Sequence, residues 1–269
     1  MANLRSHFRH LSIRACFDIP HSCFVIHSSL FIRRLASKTE IWLILIRMEQ
    51  SLFHLINQQW TSPALDLFMA GLSDSQIWTP FLIAIGIAAL VFGGFKARAL
   101  VICLVISLAI AGLVTSTLKS SVGRHRPKHV QSVRMVQLQK ARPKFLTFFK
   151  KPVIRFSDSS DRTRSGPSFP SGHTVNNTIA ATYFTLFYRR RGWLYWFVAL
   201  AVGYSRIYLG AHWPTDVVAT LFLGIGGALL LLSFFELIWR IAARKWMPDV
   251  FARHPSLMVG QPGNSAHAT

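Results

Sequence analysis

Three stretches of this sequence carry residues that could do chemistry together: Lys119-x6-Arg126-Pro127, Pro170-Ser171-Gly172-His173 and Ser205-Arg206-x5-His212-x3-Asp216. Three fixed cations, two histidines and backbone N–H groups at a helix N-terminus make a cradle for a phosphoryl group. His212 has Asp216 four residues on, near a helix start. A carboxylate so placed can hold an imidazole tautomer and support the cation formed when the ring attacks. No cluster of carboxylates offers Mg²⁺ a site, so the cations themselves must neutralise phosphate charge. Taken singly, each residue has a plainer role. Ser171 could be an N-cap, Asp216 a partner of a helix dipole, and Lys119 and Arg206 snorkelling residues at helix ends. Those roles would have to account for all three spacings independently.

The elements that must position these residues are long apolar helices. Ile77–Phe95 and Ala99–Leu118 carry no charge, and Pro214–Trp239 carries only Asp216 and Glu236. At about 1.5 Å per residue each can cross a hydrocarbon core of about 30 Å. Two weaker runs, His173–Tyr188 and Trp193–Leu209, contain Asn176, Asn177 and Arg206. Set between strong spans, they read as polar-lined spans facing a bundle interior. The expectation is an all-α, polytopic membrane helix bundle of about five to six spanning helices. Met48–Leu72 mixes apolar residues with Gln58, Gln59, Pro63 and Asp66, a pattern that fits helices lying in the interface better than a sixth span. Helices that alternate in direction bring Lys119, Arg126, Ser171, His173, Arg206, His212 and Asp216 to one membrane face.

The three stretches resemble the three signature motifs of the type-2 phosphatidic acid phosphatase superfamily, the lipid phosphate phosphatases. The likeness runs through residues 50–240 in order, with no signature position missing. A looser one, in Leu52–Leu72 around Ile56-Asn57 and Leu65-Asp66, is to small bacterial undecaprenyl-diphosphatases. The resemblance implies His212 as a nucleophile forming a phosphohistidine, Asp216 orienting it, and His173 protonating the leaving oxygen and then activating water. It implies Lys119, Arg126 and Arg206 as a clamp on the equatorial oxygens, with Ser171 and the Gly172 N–H completing the cradle. No cofactor and no metal are expected. A polyprenyl diphosphate is the favoured substrate. Phosphatidic acid, phosphatidylglycerophosphate and a lipid A phosphate are alternatives, as is a non-catalytic lipid-phosphate-binding or transport protein.

Composition agrees with a membrane protein. The 269 residues carry a formal net charge of +20, yet 51% are hydrophobic and mean hydropathy is +0.36. A soluble nucleic-acid binder seldom combines the two, and 21 Phe and 8 Trp exclude intrinsic disorder. Cys16, Cys23 and Cys103 form neither a disulfide scaffold nor a zinc pattern. Residues 1–47 are a basic leader read as the product of an early start codon, with an organellar transit peptide as the alternative. Residues 48–245 are the membrane-embedded phosphatase domain, with the basic loop 128–169 inserted, and 246–269 are a tail. The loop's cations suit an anionic lipid surface, with Phe145, Phe148 and Phe149 among them favouring membrane contact. The face opposite the site carries Lys96, Arg98, Arg189–Arg191, Arg240, Arg244 and Lys245. Positive-inside bias turns the site outward from a bacterial cytoplasmic membrane, although 13 Lys/Arg between 119 and 170 argue the other way.

Overall fold

The computed structural model describes residues 28–139, 141, 147, 150–163 and 166–258. The first 27 residues of the leader, the end of the tail, and Phe145, Phe148 and Phe149 lie outside the described residues. The chain divides into two compact units, Met1–Leu45 and Ile46–Thr269. Helix α1 (Ser28–His54) runs through Met48, where the sequence suggested that the domain begins.

After α1, one π-helical turn (Leu55–Gln59) leads to α2 (Pro63–Ser73). The Ser62 hydroxyl accepts from Leu65 N at 3.2 Å and Pro63 opens the helix, where its missing N–H costs nothing. Asp74 ends α2 and caps α3 (Ser75–Phe92) by accepting from Gln76 N at 2.9 Å. Then come α4 (Phe95–Val122), the short α5 (Pro127–Val130), strands β1 (Arg134–Gln137) and β2 (Val153–Phe156), and α6 (Ser159–Thr163). Helices α7 (Gly172–Gly192), α8 (Tyr195–Tyr208), α9 (Pro214–Trp246) and α10 (Pro248–Arg253) complete the order.

Helix α7 is the axis of the bundle and packs against α4, α8 and α9. Its Val175, Ile179, Tyr183 and Phe187 form a core with Ala99, Leu100 and Cys103 of α4 and Ala228 and Leu232 of α9. Gly224 lets α9 approach closely, since a Cβ there would stand 2.8 Å from the Thr178 Cβ. Two buried hydroxyls of α7 are satisfied within the helix: Thr178 donates to the Thr174 carbonyl at 2.7 Å and Thr182 to that of Thr178 at 2.8 Å. This accounts for the weak hydropathy of the segment, which is surrounded by protein.

Among the described residues three helices are long and apolar enough to cross a membrane: α3, the helix beginning at Phe95, and α9. The expected five to six spans are not confirmed. The 14 residues of α8 reach only about 21 Å, and the inner face of α7 is threonine-rich. The outward faces of the long helices are apolar, with Phe81, Leu82 and Ile85 of α3 and Phe222 and Leu230 of α9 all exposed. Such a belt requires lipid around it. The 11-residue α2 is too short to span and packs against α8 and β1.

The basic insert departs from the all-α expectation by one antiparallel ribbon, in which Arg134 pairs with Phe156 and Val136 with Ile154. A second core cluster joins Val133 and Val136 at this ribbon to Phe53, Ile56, Met69, Ile207 and Tyr208. One polar node fastens it. Asn57 donates to the Arg134 and Tyr208 carbonyls at 2.9 and 2.7 Å and accepts from Arg134 N at 3.1 Å. Asp66 accepts from Arg134 Nη2 at 2.6 Å and from the Tyr208 hydroxyl at 2.5 Å. The buried cation is therefore paired with a buried carboxylate.

Candidate active site

The C-terminal ends of α4 and α8 and the N-terminal ends of α7 and α9 meet at one end of the bundle. Lys119 lies in the last turn of α4, which closes on Gly123 in the left-handed conformation at φ 61°. The chain then runs through Arg124 and Arg126 into Pro127. Arg206 lies in the last turn of α8. Beyond it Gly210, at φ 69°, turns the chain where a Cβ would stand 2.1 Å from a Val133 methyl. Ala211 N and His212 N fold back to donate to the Arg206 carbonyl at 3.0 and 3.2 Å, which fixes the nucleophile candidate relative to a clamp candidate.

His212 is 3% exposed and Asp216 0%. Nδ1 of His212 lies 3.5 Å from Ser168 Oγ, and the Ser168 carbonyl also acts on the ring as an acceptor. The Ser168 hydroxyl donates to Asp216 Oδ2 at 2.5 Å, and Trp213 N donates to the same oxygen at 3.1 Å. Asp216 Oδ1 accepts from Arg124 Nη1 at 2.5 Å. Asp216 thus reaches His212 through Ser168. Arg124 Nη2 in turn donates to Glu49 Oε2 at 2.7 Å, and Glu49 accepts from the Thr215 hydroxyl at the start of α9.

Three cations converge on the two histidines. Arg206, Arg126 and Lys119 all act on His212 and on His173, and Lys119 feels Arg126 and Arg206. Burial first, and the three positive charges second, hold the His212 imidazole far below its ordinary range. It is neutral at physiological pH. Because the Ser168 hydroxyl gives its proton to Asp216, it can only accept from Nδ1–H, which leaves the lone pair on Nε2. Arg206 Nη1 donates to the Ser73 hydroxyl, while its Nε is buried without a partner. Arg126 Nε donates to the Gly166 carbonyl at 2.9 Å.

Ser171 makes no side-chain cap bond on α7. Its N–H donates to Thr220 Oγ1 at 3.1 Å, and its Oγ accepts from Thr174 at 2.9 Å. A Cβ built on Gly172 would meet nothing within 4 Å, so its backbone faces open space. Among the described residues no three His, Cys, Asp or Glu side chains gather as a metal site. A pocket with concentrated positive charge, an orphaned guanidinium N–H and a neutral imidazole suits an oxyanion rich in acceptors.

Lys119, Arg126, Arg206, His173 and His212 lie within electrostatic reach of one another, and Asp216 joins them through Ser168, while Ser171 bonds to Thr220 and Thr174. The sequence reading omitted Arg124, Ser168, Glu49 and Ser73. Arg124 stands inside the first motif stretch and Ser168 two residues before the second, where their polarity beside Arg126 and Pro170 is a usable signal. Glu49 and Ser73 carry no local pattern.

A family model, the PAP2 superfamily, matches residues 100–240, which include every residue from Lys119 to Asp216 discussed above. The chain belongs to the PAP2 superfamily. Several of the proteins it is similar to are named as phosphatases. The lipid A 4'-phosphatase of Porphyromonas gingivalis is 28% identical over 221 residues, 79% of this chain and 81% of that one. The undecaprenyl-diphosphatase of Sulfolobus acidocaldarius is 28% identical over 176 residues, 64% of this chain and 71% of that one. Across its curated relatives the chain spans from 30% to 81% of their length. The solved transmembrane PAP2 type phosphatidylglycerolphosphate phosphatase of Bacillus subtilis shares the fold at a TM-score of 0.51 and 21% identity. That match covers 78% of this chain and 96% of that one. This PAP2 protein is an integral membrane enzyme of the lipid phosphatase kind.

Proposed function

We propose that this PAP2 protein hydrolyses a phosphate ester or diphosphate on a membrane lipid through a phosphohistidine at His212, without metal. Nε2 of His212 attacks phosphorus while the P–O bond to the lipid breaks, and His173, which takes up a proton when bound phosphate offsets the surrounding cations, gives that proton to the departing oxygen. His173 then takes a proton from water as the water oxygen attacks the phosphohistidine, which frees inorganic phosphate and restores the ring. Lys119, Arg126 and Arg206 hold the equatorial oxygens, with the Ser171 hydroxyl and the Gly172 N–H beside them. Asp216, acting through Ser168, steadies the ring as positive charge develops on it. One observation carries this reading: His212 is held on its Nδ1 side by Ser168 and is surrounded by three cations.

Phosphate release by the purified protein in detergent with EDTA present tests it. Wild type should turn over and yield an acid-labile phosphoprotein. His212→Ala should yield none and lose about ten-thousand-fold in rate. Turnover by pure His212→Ala near the wild-type rate would overturn the mechanism. His173→Ala should be least damaging with good leaving groups.

A polyprenyl diphosphate is the favoured substrate, supported by the relative named undecaprenyl-diphosphatase. A lipid A phosphate is the second reading, supported by the relative aligned over most of both chains. Parallel rates on undecaprenyl diphosphate, lipid A and phosphatidylglycerophosphate decide between them. The lysines of the insert suit anionic head groups, each contributing about 1 kcal/mol at the surface. The cations at the far ends of α4, α7 and α9 support a site facing outward from a bacterial cytoplasmic membrane. In a cysteine-free background on spheroplasts, an impermeant thiol reagent should label Ser132→Cys and spare Asp249→Cys. The opposite pattern would put the site in the cytoplasm.

A further inference from the structure

We infer that Ser73, the last residue of α2, is a positioning residue for a phosphate clamp: its hydroxyl is an arm that anchors Arg206. This rests on the proposed role of Arg206. Ser73 is 6% exposed and lies outside the three motif stretches.

The hydroxyl arm concerns direction. Arg206 has five N–H donors in a rigid plane. Ser73 Oγ accepts from Nη1, while the buried Nε has no acceptor. A planar group held at one corner presents its remaining donors in a fixed direction, here the pocket shared with His173 and His212. Without the Ser73 oxygen a second buried donor is orphaned and the plane is free to turn.

The register of α2 is set from its other end. Asp66 is seven residues before Ser73, about 10.5 Å along the helix on the same face. It accepts from the hydroxyl of Tyr208, two residues beyond Arg206. Asp66 and Ser73 thus grip the same last turn of α8.

The test uses the full-length protein and inorganic phosphate as a competitive product inhibitor. Ser73→Ala should weaken phosphate inhibition about tenfold, as expected for losing a hydrogen bond to a charged group. Its melting temperature should fall by only a few degrees, as expected for one orphaned donor, and Ser73→Thr should restore inhibition. If Ser73→Ala folds poorly, Ser73→Cys, close in size but a poor acceptor, should show the same weakening. Unchanged inhibition in a folded variant overturns the proposal. Wild type that forms no phosphohistidine would instead refute the proposed mechanism, a separate outcome.

Discussion

The nucleophile candidate and its carboxylate are both buried, and both depend on neighbours that lie far off in sequence. Arg124 bonds Asp216 across 92 residues and Ser168 bonds it across 48. Removing one partner of a buried ion pair typically costs about 3–5 kcal/mol. Arg124 is a third exposed, so we expect Arg124→Met to cost about 2 kcal/mol. It should also lower kcat more than it raises KM, since it loosens the group that steadies the charged ring. Thermal unfolding in detergent and steady-state kinetics check both. His212 gives a pH prediction. The folded ring takes up a proton only well below pH 6.5, whereas the unfolded chain titrates near that value. The unfolded state therefore binds more protons across that interval, and stability falls as pH drops below 6.5. His212→Asn should lose less melting temperature than wild type between pH 7.5 and 5.5, and an equal loss would contradict the burial argument. At this scale the sequence was informative where chemistry sits at fixed spacing, as in Arg206-x5-His212-x3-Asp216. It was silent on Glu49 and Ser73, whose partners lie 75 and 133 residues away.

The elements were legible to the extent that hydropathy reports on lipid. The runs Ile77–Phe95, Ala99–Leu118 and Pro214–Trp239 anticipated α3, α4 and α9, whose outer faces are apolar. They did not reveal that α7, surrounded by its neighbours, has no such need. Its buried Thr174, Thr178 and Thr182 lower the hydropathy of a helix at the centre of the bundle. The close approach of α9 to α7 leads to a prediction. Gly224→Ala would set a methyl 2.8 Å from the Thr178 Cβ, with the Val175 carbonyl 3.4 Å away. Neither helix can yield without moving the start of α9, which carries Asp216. We expect a loss of about 1–3 kcal/mol, typical of overpacking, together with a lower kcat. A melting curve and a rate at saturating substrate measure the two effects.

Across the whole molecule, the net charge of +20 and the apolar belt belong to different regions. The belt lies on α3, α4 and α9, and much of the charge lies in the insert and at the helix ends. In sequence the insert reads as a basic loop suited to an anionic lipid surface. Strand pairing and the Arg134–Asp66 ion pair make part of it a structural joint, which no hydropathy pattern could show because both ends of that pair are polar. The ribbon also divides the site in two. Everything up to β1 supplies Ser73, Lys119, Arg124 and Arg126; everything from β2 onward supplies Ser171, His173, Arg206, His212 and Asp216. Each half carries one strand of the ribbon and one side of the Asn57–Arg134–Tyr208 node. The protein is thus already drawn as a two-piece complementation system. Separately translated pieces, one ending at Gln139 and one starting at Lys150, should be inert alone and regain phosphate release when co-expressed. Arg134→Ala in the first piece should weaken that reunion more than it weakens the uncut chain, where the peptide bond already keeps the halves together.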